Sequence, residues 1–262
     1  MSTLTLSRES VLFDDDSYTI DTPEFGSEGS MVITEKLVDT MIISDIHLGS
    51  DVSRSKDCLE MLKGYEFSRL ILNGDVFEDL NFKRLSKEDW KFLSYIRKLS
   101  GHKRDVEVVW VCGNHDGIAE ILSHLLGINV YDEYIWEFEN ERYLAIHGHQ
   151  FDRFLNENII ISAIACGIYK VFQRLDSDEQ RVSRWMKRRS KTWLRISEKI
   201  AHDAIAYAKT KKANYVFCGH THQALERTID GITYVNSGCW TDVPSQYITI
   251  DKARGVILRE SR

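Results

Sequence analysis

Five short motifs, spread over most of the chain, carry the residue types that two adjacent divalent cations need. They are Asp45-Ile46-His47, Gly74-Asp75, Gly113-Asn114-His115-Asp116, His147-Gly148-His149 and Gly219-His220-Thr221-His222. Alone, each is a weak signal, because Gly-Asp or Asp-X-His arises by chance in most proteins. As an ordered set, each at the end of an apolar run, they combine hard and borderline donors suited to a dinuclear site. Asp75 is the candidate bridge, since a carboxylate offers two oxygens and a full negative charge. Asp45 supplies a second anion. Neutral imidazoles at His47, His147, His220 and His222, with the Asn114 carbonyl, complete the shells without overloading the site with charge. Two cations about 3.5–4 Å apart hold a water between them, lower its pKa and clamp a phosphoryl oxygen. Hydroxide is then the nucleophile, and no Ser or Cys is needed for that role. His115 directly follows a ligand at a strand end and is the expected catalytic residue, protonating a leaving oxygen or stabilising charge. Asp116 either orients it or caps a helix that begins near Gly117. His149 and Asp152 are either partners of the ligands or the first turn of an inserted segment.

The elements that must position these residues are legible as apolar runs. Met41-Ile42-Ile43 leads into Asp45, Leu70-Ile71-Leu72 into Asp75, and Val108-Val109-Trp110-Val111 into Asn114. Tyr143-Leu144-Ala145-Ile146 leads into His147, and Tyr215-Val216-Phe217 into His220. They are short, rich in β-branched and aromatic residues, and stopped by Gly or polar residues, which predicts strands. Helical patterns fall between several of them, over Lys56–Leu62, Lys87–Leu99 and Ile118–Leu126. Such alternation predicts an α/β core with at least one largely parallel sheet, and ligands of such sheets gather at the carboxyl ends of the strands. Toward the end of the chain, Ile232–Val235, Gln246–Ile250 and Gly255–Leu258 read as an antiparallel portion that closes the domain.

From Met41 to Val256 the pattern D-x-H, G-D, G-N-H, H and G-H-x-H resembles the calcineurin-like metallophosphoesterase superfamily. The resemblance implies a four-layer αββα sandwich. It implies one metal held by Asp45, His47, Asp75 and His222, and another held by Asp75, Asn114, His147 and His220. Manganese is the expectation it brings; the mixed oxygen and nitrogen donors also suit Fe or Zn²⁺. The runs Ser44–Gly49, Gly74–Glu78 and Asn236–Trp240 look most like the UDP-2,3-diacylglucosamine hydrolase branch, whose members cleave a diphosphate in lipid A synthesis. The best-known members of that branch have Arg after the metal-binding Asn, where this chain has His115. A phosphodiesterase or phosphatase acting on a soluble nucleotide or phosphoprotein is the alternative reading. A non-catalytic scaffold of the same fold should lose ligands, and this chain keeps all of them.

The chain has 262 residues, 43% of them hydrophobic, enough for one large α/β domain with an inserted segment. A formal net charge of −6 argues against a general nucleic-acid binder. Five scattered cysteines in no paired spacing favour a reducing compartment. No basic stretch followed by an apolar one marks the N-terminus, so a cytoplasmic location is expected. Residues 1–40 are acidic and polar and read as an extension. Between about 150 and 212 lies an insert of helical pattern, expected as a cap. Within it Met186, Trp193, Ile196, Ile200, Ala204 and Tyr207 share one helical face, and Arg184, Arg188, Lys191, Arg195 and Lys199 the opposite one. Residues 181–212 hold eleven Lys/Arg and two Asp/Glu, a net of +9 that leaves −15 on the remainder. Such a cap would suit an anionic nucleotide or a peripheral contact with acidic lipid; the bland reading is a solvated face on a packed helix.

Overall fold

The computed structural model describes residues 36–101, 106–117, 123–124, 126–152 and 191–262. Most of the N-terminal extension and the helical pattern over 153–190 lie outside the described residues, as does much of the pattern over 118–126. The first strand, β1, begins at Leu37 and ends at Ile43. There follow α1 (Ser55–Lys63), β2 (Glu66–Asn73), α2 (Lys87–Leu99), β3 (Glu107–Val111), β4 (Asn129–Tyr131), β5 (Glu133–Phe138) and β6 (Glu141–Ile146). A helix α3 (Lys191–Thr210) then precedes β7 (Tyr215–Cys218), β8 (Leu225–Ile229), β9 (Ile232–Asn236), β10 (Ser245–Asp251) and β11 (Gly255–Ser261).

The strands form two sheets. The first has the order β11-β10-β1-β2-β3-β4 and the second β5-β6-β7-β9-β8. In the first, β1 to β4 run parallel, and β10 and β11 add antiparallel strands at one edge. In the second, β6, β7 and β9 run parallel between antiparallel edges. The expected single antiparallel closure is therefore divided. β9 joins the second sheet beside β7, whereas β10 returns to the first beside β1. Alternating apolar residues satisfy either placement equally, so the sequence pattern could not choose between the sheets.

Each sheet is buried on both faces, which is why its central strands are apolar without a break. In β1, Met41 and Ile43 point to the cluster under α1 and α2, with Leu59, Leu62, Phe92 and Ile96. Ile42 points the other way, into the layer between the sheets, with Ile71, Val109, Trp136, Phe217 and Ile248. The rings of Trp136, Tyr143 and Tyr215 continue that layer as a stack, with neighbouring centroids 5.2 and 5.1 Å apart. On the outer side of the second sheet, Leu144, Val216 and Tyr234 meet Ala201, Ala204 and Ala208 of α3. The layers are thus helix, sheet, sheet, helix. Among the helices, α2 shows its start in the sequence: Ser86 and Asp89 form a reciprocal capping box.

Helix α3 bears on the expected cap. Its inward face is Ile200, Ala201, Ala204, Ile205 and Ala208, all buried against the second sheet. Alanines at this contact let the helix lie close to the strands. The apolar face of 200–208 is thereby part of the protein core and not a surface for acyl chains. Its basic neighbours are partly paired: Lys199 with Asp203 at 3.0 Å and Lys209 with Asp230 at 3.6 Å. The Ala204→Leu variant should lose about 1–3 kcal/mol of unfolding free energy through overpacking. Unchanged stability in urea denaturation would mean that this face is not core.

Candidate metal centre

The site sits where the two sheets end together. The first sheet delivers Asp45 and His47 after β1, Asp75 after β2 and Asn114 after β3. The second delivers His147 after β6 and His220 and His222 after β7. Three groups of donor atoms result among the described residues: Asp45–His47–His222 and Asp75–His147–His220, which each draw on both sheets, and His47–Glu78–His115, which draws on the first sheet alone. All seven residues that the sequence singled out as ligands converge here.

The backbone is bent hard to achieve this. Asp45, His47, Asp75, His220 and His222 have φ between 51° and 64°, the left-handed region that side-chain-bearing residues rarely enter. Such conformations cost of order 1–3 kcal/mol each and persist only when neighbours enforce them. Here main-chain bonds do so: Asp45 N–H donates to Gly74 O at 3.0 Å and His47 N–H to Asp75 O at 3.1 Å. His220 N–H donates to the Asp45 carboxylate, 3.0 and 3.1 Å from its two oxygens. Gly113 and Gly219 answer a different need from the tight turns their position suggests. A Cβ on Gly113 would stand 2.2 Å from Asp75 Oδ1, and one on Gly219 would stand 2.2 Å from Asp45 Oδ2. These glycines let backbone pass directly over the two carboxylates.

The imidazoles are fixed by their outer nitrogens. His147 Nδ1 lies 2.8 Å from the Asn73 carbonyl, which can only accept, so this nitrogen carries the hydrogen. In the neutral ring Nε2 then bears a lone pair, and it points at Asp75 Oδ2 from 3.2 Å. That buried nitrogen has no hydrogen-bond partner. His220 Nε2 lies 3.1 Å from Asp152 Oδ2, which leaves the Nδ1 lone pair facing Asn114 Oδ1 at 3.1 Å. His47 Nδ1 lies 3.1 Å from Glu78 Oε2, and its Nε2 faces His222 Nε2 at 3.1 Å. His222 Nε2 is also 3.2 Å from Asp45 Oδ1. At His147 and His220 the inner nitrogens therefore turn a lone pair toward an oxygen of Asp75 or Asn114. Only a cation, either protons or metal ions, makes the arrangement favourable, and the donor set fits divalent metals.

The electrostatics agree. Burial opposes charge on His147, but Asp75 and then Asp45 outweigh it and push its pKa up to about 10. Burial also opposes ionisation of Asp75, yet His147 and His47 hold its carboxyl well below the usual range. Burial works likewise on Asp45, and His222 draws its carboxyl below the ordinary value. His149, behind the ligands, is driven the other way: burial, then the neighbouring His147 and His220, lower it to about 4.

Three other residues acquire definite roles. His115 directs Nδ1 at the Glu78 carbonyl, 2.8 Å away, and its ring stands edge-on to His47 with centroids 5.0 Å apart. Among the described residues Asp116 makes no hydrogen bond to His115, and the helix it was expected to cap lies outside them. Its carboxylate accepts from Val76 N at 2.8 Å, Phe77 N at 3.1 Å, Gly113 N at 2.9 Å and Trp110 Nε1 at 3.1 Å, tying the loop after β2 to the loop after β3. Glu78 is a further residue of the site that the motif pattern does not single out. Its carboxylate faces His47 and its carbonyl faces His115; its position three residues past Asp75, beside the ligand loop, was the available signal.

The chain matches the calcineurin-like phosphoesterase superfamily domain over residues 39–251. It belongs to that superfamily. Membership makes it a metal-dependent phosphoester hydrolase, and the two donor groups that draw on both sheets are where such chemistry would be housed. Among curated protein sequences none matches significantly. Similar solved structures include zinc-bound Vps29 from Entamoeba histolytica, at 13% identity, covering 85% of this chain and 97% of that one with a TM-score of 0.43. An archaeal phosphodiesterase matches at 16% identity over 85% and 98% of the two chains with a TM-score of 0.44. The E. coli phosphoesterase YfcE matches at 19% identity over 81% and 88%, also with a TM-score of 0.44. The family assignment rests on the sequence match and not on these overlaps.

A proton on His147 stabilises the metal-free fold in a defined pH window. Because the folded pKa of about 10 exceeds the ordinary 6.5, that contribution is complete below about pH 6.5 and is lost as pH rises toward 10. In chelator, the stability advantage of wild type over His147→Gln should shrink across that interval. Adding a divalent cation at neutral pH should release the proton, which calorimetry in buffers of different ionisation enthalpy would count. An advantage independent of pH, with no proton released, would show that His147 and Asp75 do not share a cation.

Proposed function

We propose that this protein hydrolyses phosphoesters at a dinuclear metal site. One ion would be held by Asp45, His47, Asp75 and His222, and the other by Asp75, Asn114, His147 and His220. The observation that carries this reading is the wholly buried His147, its Nδ1 held by the Asn73 carbonyl and its Nε2 aimed at the Asp75 carboxylate from 3.2 Å. Two bound divalent ions supply Lewis-acid stabilisation of a phosphoryl oxygen and a lowered water pKa. The chain's own residues do the rest. Asp45 and Asp75 set a negative field between the sheets. Asn73 and Asp152 keep His147 and His220 in the tautomers that face inward. His115, with Nδ1 engaged by the Glu78 carbonyl, has Nε2 left to hold a proton for the leaving oxygen.

Two variants separate binding from chemistry. Asp75→Ala should lose one or both ions and nearly all hydrolysis; full activity with a full metal complement would remove the dinuclear reading. His115→Ala should keep its metal content while turnover falls by roughly 10²–10⁴-fold, the span of a general acid–base group. Metal loss in place of a rate defect would reassign His115.

The finer substrate reading, a UDP-2,3-diacylglucosamine-type glycolipid, is supported by the runs Ser44–Gly49, Gly74–Glu78 and Asn236–Trp240. The core packing of Ile200 and Ala204 takes part of the apolar helical face that favoured it into the protein interior. A soluble phosphodiester or phosphomonoester becomes the preferred substrate class. A panel with Mn²⁺ distinguishes them: a UDP-diacylglucosamine, a cyclic nucleotide and an aryl phosphodiester. Turnover of the glycolipid well above the other two, lost together with liposome binding when Arg188, Lys191 and Arg195 are changed to Glu, would restore the lipid reading and a peripheral membrane location. Among the described residues no helix is long and apolar enough to cross a membrane.

A further inference from the structure

We infer that Asp152 is a positioning residue that locks His220 in one tautomer and so completes one of the two metal subsites; this rests on the dinuclear reading above. Asp152 stands at the end of a short 3₁₀ turn, His149–Phe151, that follows the ligand His147. Two main-chain bonds of 3.1 Å, Phe151 N–H to Gly148 O and Asp152 N–H to His149 O, shape that turn. Phe151 packs on Tyr207 of α3, with ring centroids 5.9 Å apart, which anchors the turn to the outer helix. The consequence is that a carboxylate from the end of β6 reaches the imidazole at the end of β7. Both side chains are almost wholly enclosed, at 5% and 6% exposure, with Nε2 and Oδ2 3.1 Å apart.

The chemistry follows from what each partner can do. A carboxylate accepts and does not donate, so the shared hydrogen belongs to His220 Nε2. Nδ1 is then left as a lone pair, on the side where Asn114 Oδ1 lies 3.1 Å away. Reversing the tautomer would put a hydrogen between two donors meant for one ion and leave the Nε2 lone pair facing a buried carboxylate. The backbone N–H of His220 is already used on Asp45, so the ring is held from three directions. A carboxylate behind an imidazole also makes the other nitrogen a better electron donor, and loss of such a partner typically weakens metal binding 10–100-fold. Sequence alone left Asp152 open between a partner of the ligands and the first turn of an insert. In the fold it is both, because the turn is what delivers it.

The test uses the full-length protein, with Mn²⁺ as the probe. Three measurements are made: calorimetric Mn²⁺ titration, thermal stability, and nitrogen-15 NMR of the histidine rings in the metal-free state at alkaline pH. In wild type His220 should be protonated on Nε2 and two Mn²⁺ should bind. In Asp152→Ala one of the two ions should bind about 10–100-fold more weakly, and the His220 ring should no longer be confined to the Nε2–H form. Asp152→Asn keeps a carbonyl that accepts from Nε2–H, so it should retain the tautomer and recover much of the lost affinity. Unchanged affinity for both ions in Asp152→Ala would overturn the inference, as would equal losses in the two variants with an unchanged tautomer. If Asp152→Ala does not fold, the wild-type spectrum decides: His220 protonated on Nδ1 in the metal-free protein overturns it. Fewer than two Mn²⁺ on wild type, with His220 protonated on Nε2, would instead fail the dinuclear reading and overturn completion of a metal subsite while leaving the tautomer lock standing.

Discussion

The confrontation of lone pairs between the two sheets is the constraint on which the remainder depends. Burying the carboxylates of Asp45 and Asp75 is costly unless positive charge or hydrogen-bond donors meet them. The fold supplies some donors from the backbone, as with His220 N–H on Asp45 and His115 N–H on Asp75 at 2.9 Å. His147 and His220 could donate too, but their outer nitrogens are occupied by acceptors, and their inner nitrogens become acceptors in the neutral state. The centre is therefore built to be incomplete until a cation enters it. That is the sense in which a hydrolase of this superfamily holds its folding and its chemistry in one place.

The charge balance extends beyond the ligands. Two divalent ions would bring four positive charges. Asp45 and Asp75 would offset two of them directly. Glu78 and Asp152, each one histidine removed, provide two more negative charges behind His47 and His220. Asp116 is a different case. Its carboxyl group is raised above its ordinary pKa by burial and by Asp75, and its oxygens are used on four N–H groups of the surrounding loops. It serves the shape of the site. Acids around one site can thus perform different work, decided by whether they face an imidazole or the backbone.

The two-sheet architecture explains how such a centre can be rigid. The groups Asp45–His47–His222 and Asp75–His147–His220 each take members from both sheets, so neither sheet alone forms either of them. The stacked rings of Trp136, Tyr143, Phe217 and Tyr215 line the second sheet's side of the layer between the sheets. Helix α3 then seals the outer side of the second sheet and supports the turn that carries Asp152. Ile200 and Ala204, read from the sequence as part of the cap helix, are in this way part of the scaffold.

The sequence by itself determined the candidate donors and the strand ends on which they sit. Asp45, His47, Asp75, Asn114, His147, His220 and His222 were all legible, because each ends a run whose apolar pattern marks a buried strand and because their types suit one chemistry. What it could not show was partnership across the chain. Asp152 and His220 are 68 residues apart in sequence, and no local pattern reveals that a short turn brings them to hydrogen-bonding distance. The face of α3 was equally ambiguous, since an apolar stripe looks the same whether it meets a sheet, another helix or a lipid chain. The assignment of β9 and β10 to separate sheets was hidden for the same reason: alternation records that a strand is buried, not what buries it. Side-chain identity is written locally and could be read directly. Tautomer, burial partner and sheet membership depend on contacts made only when distant segments pack, and only the tertiary structure decided them.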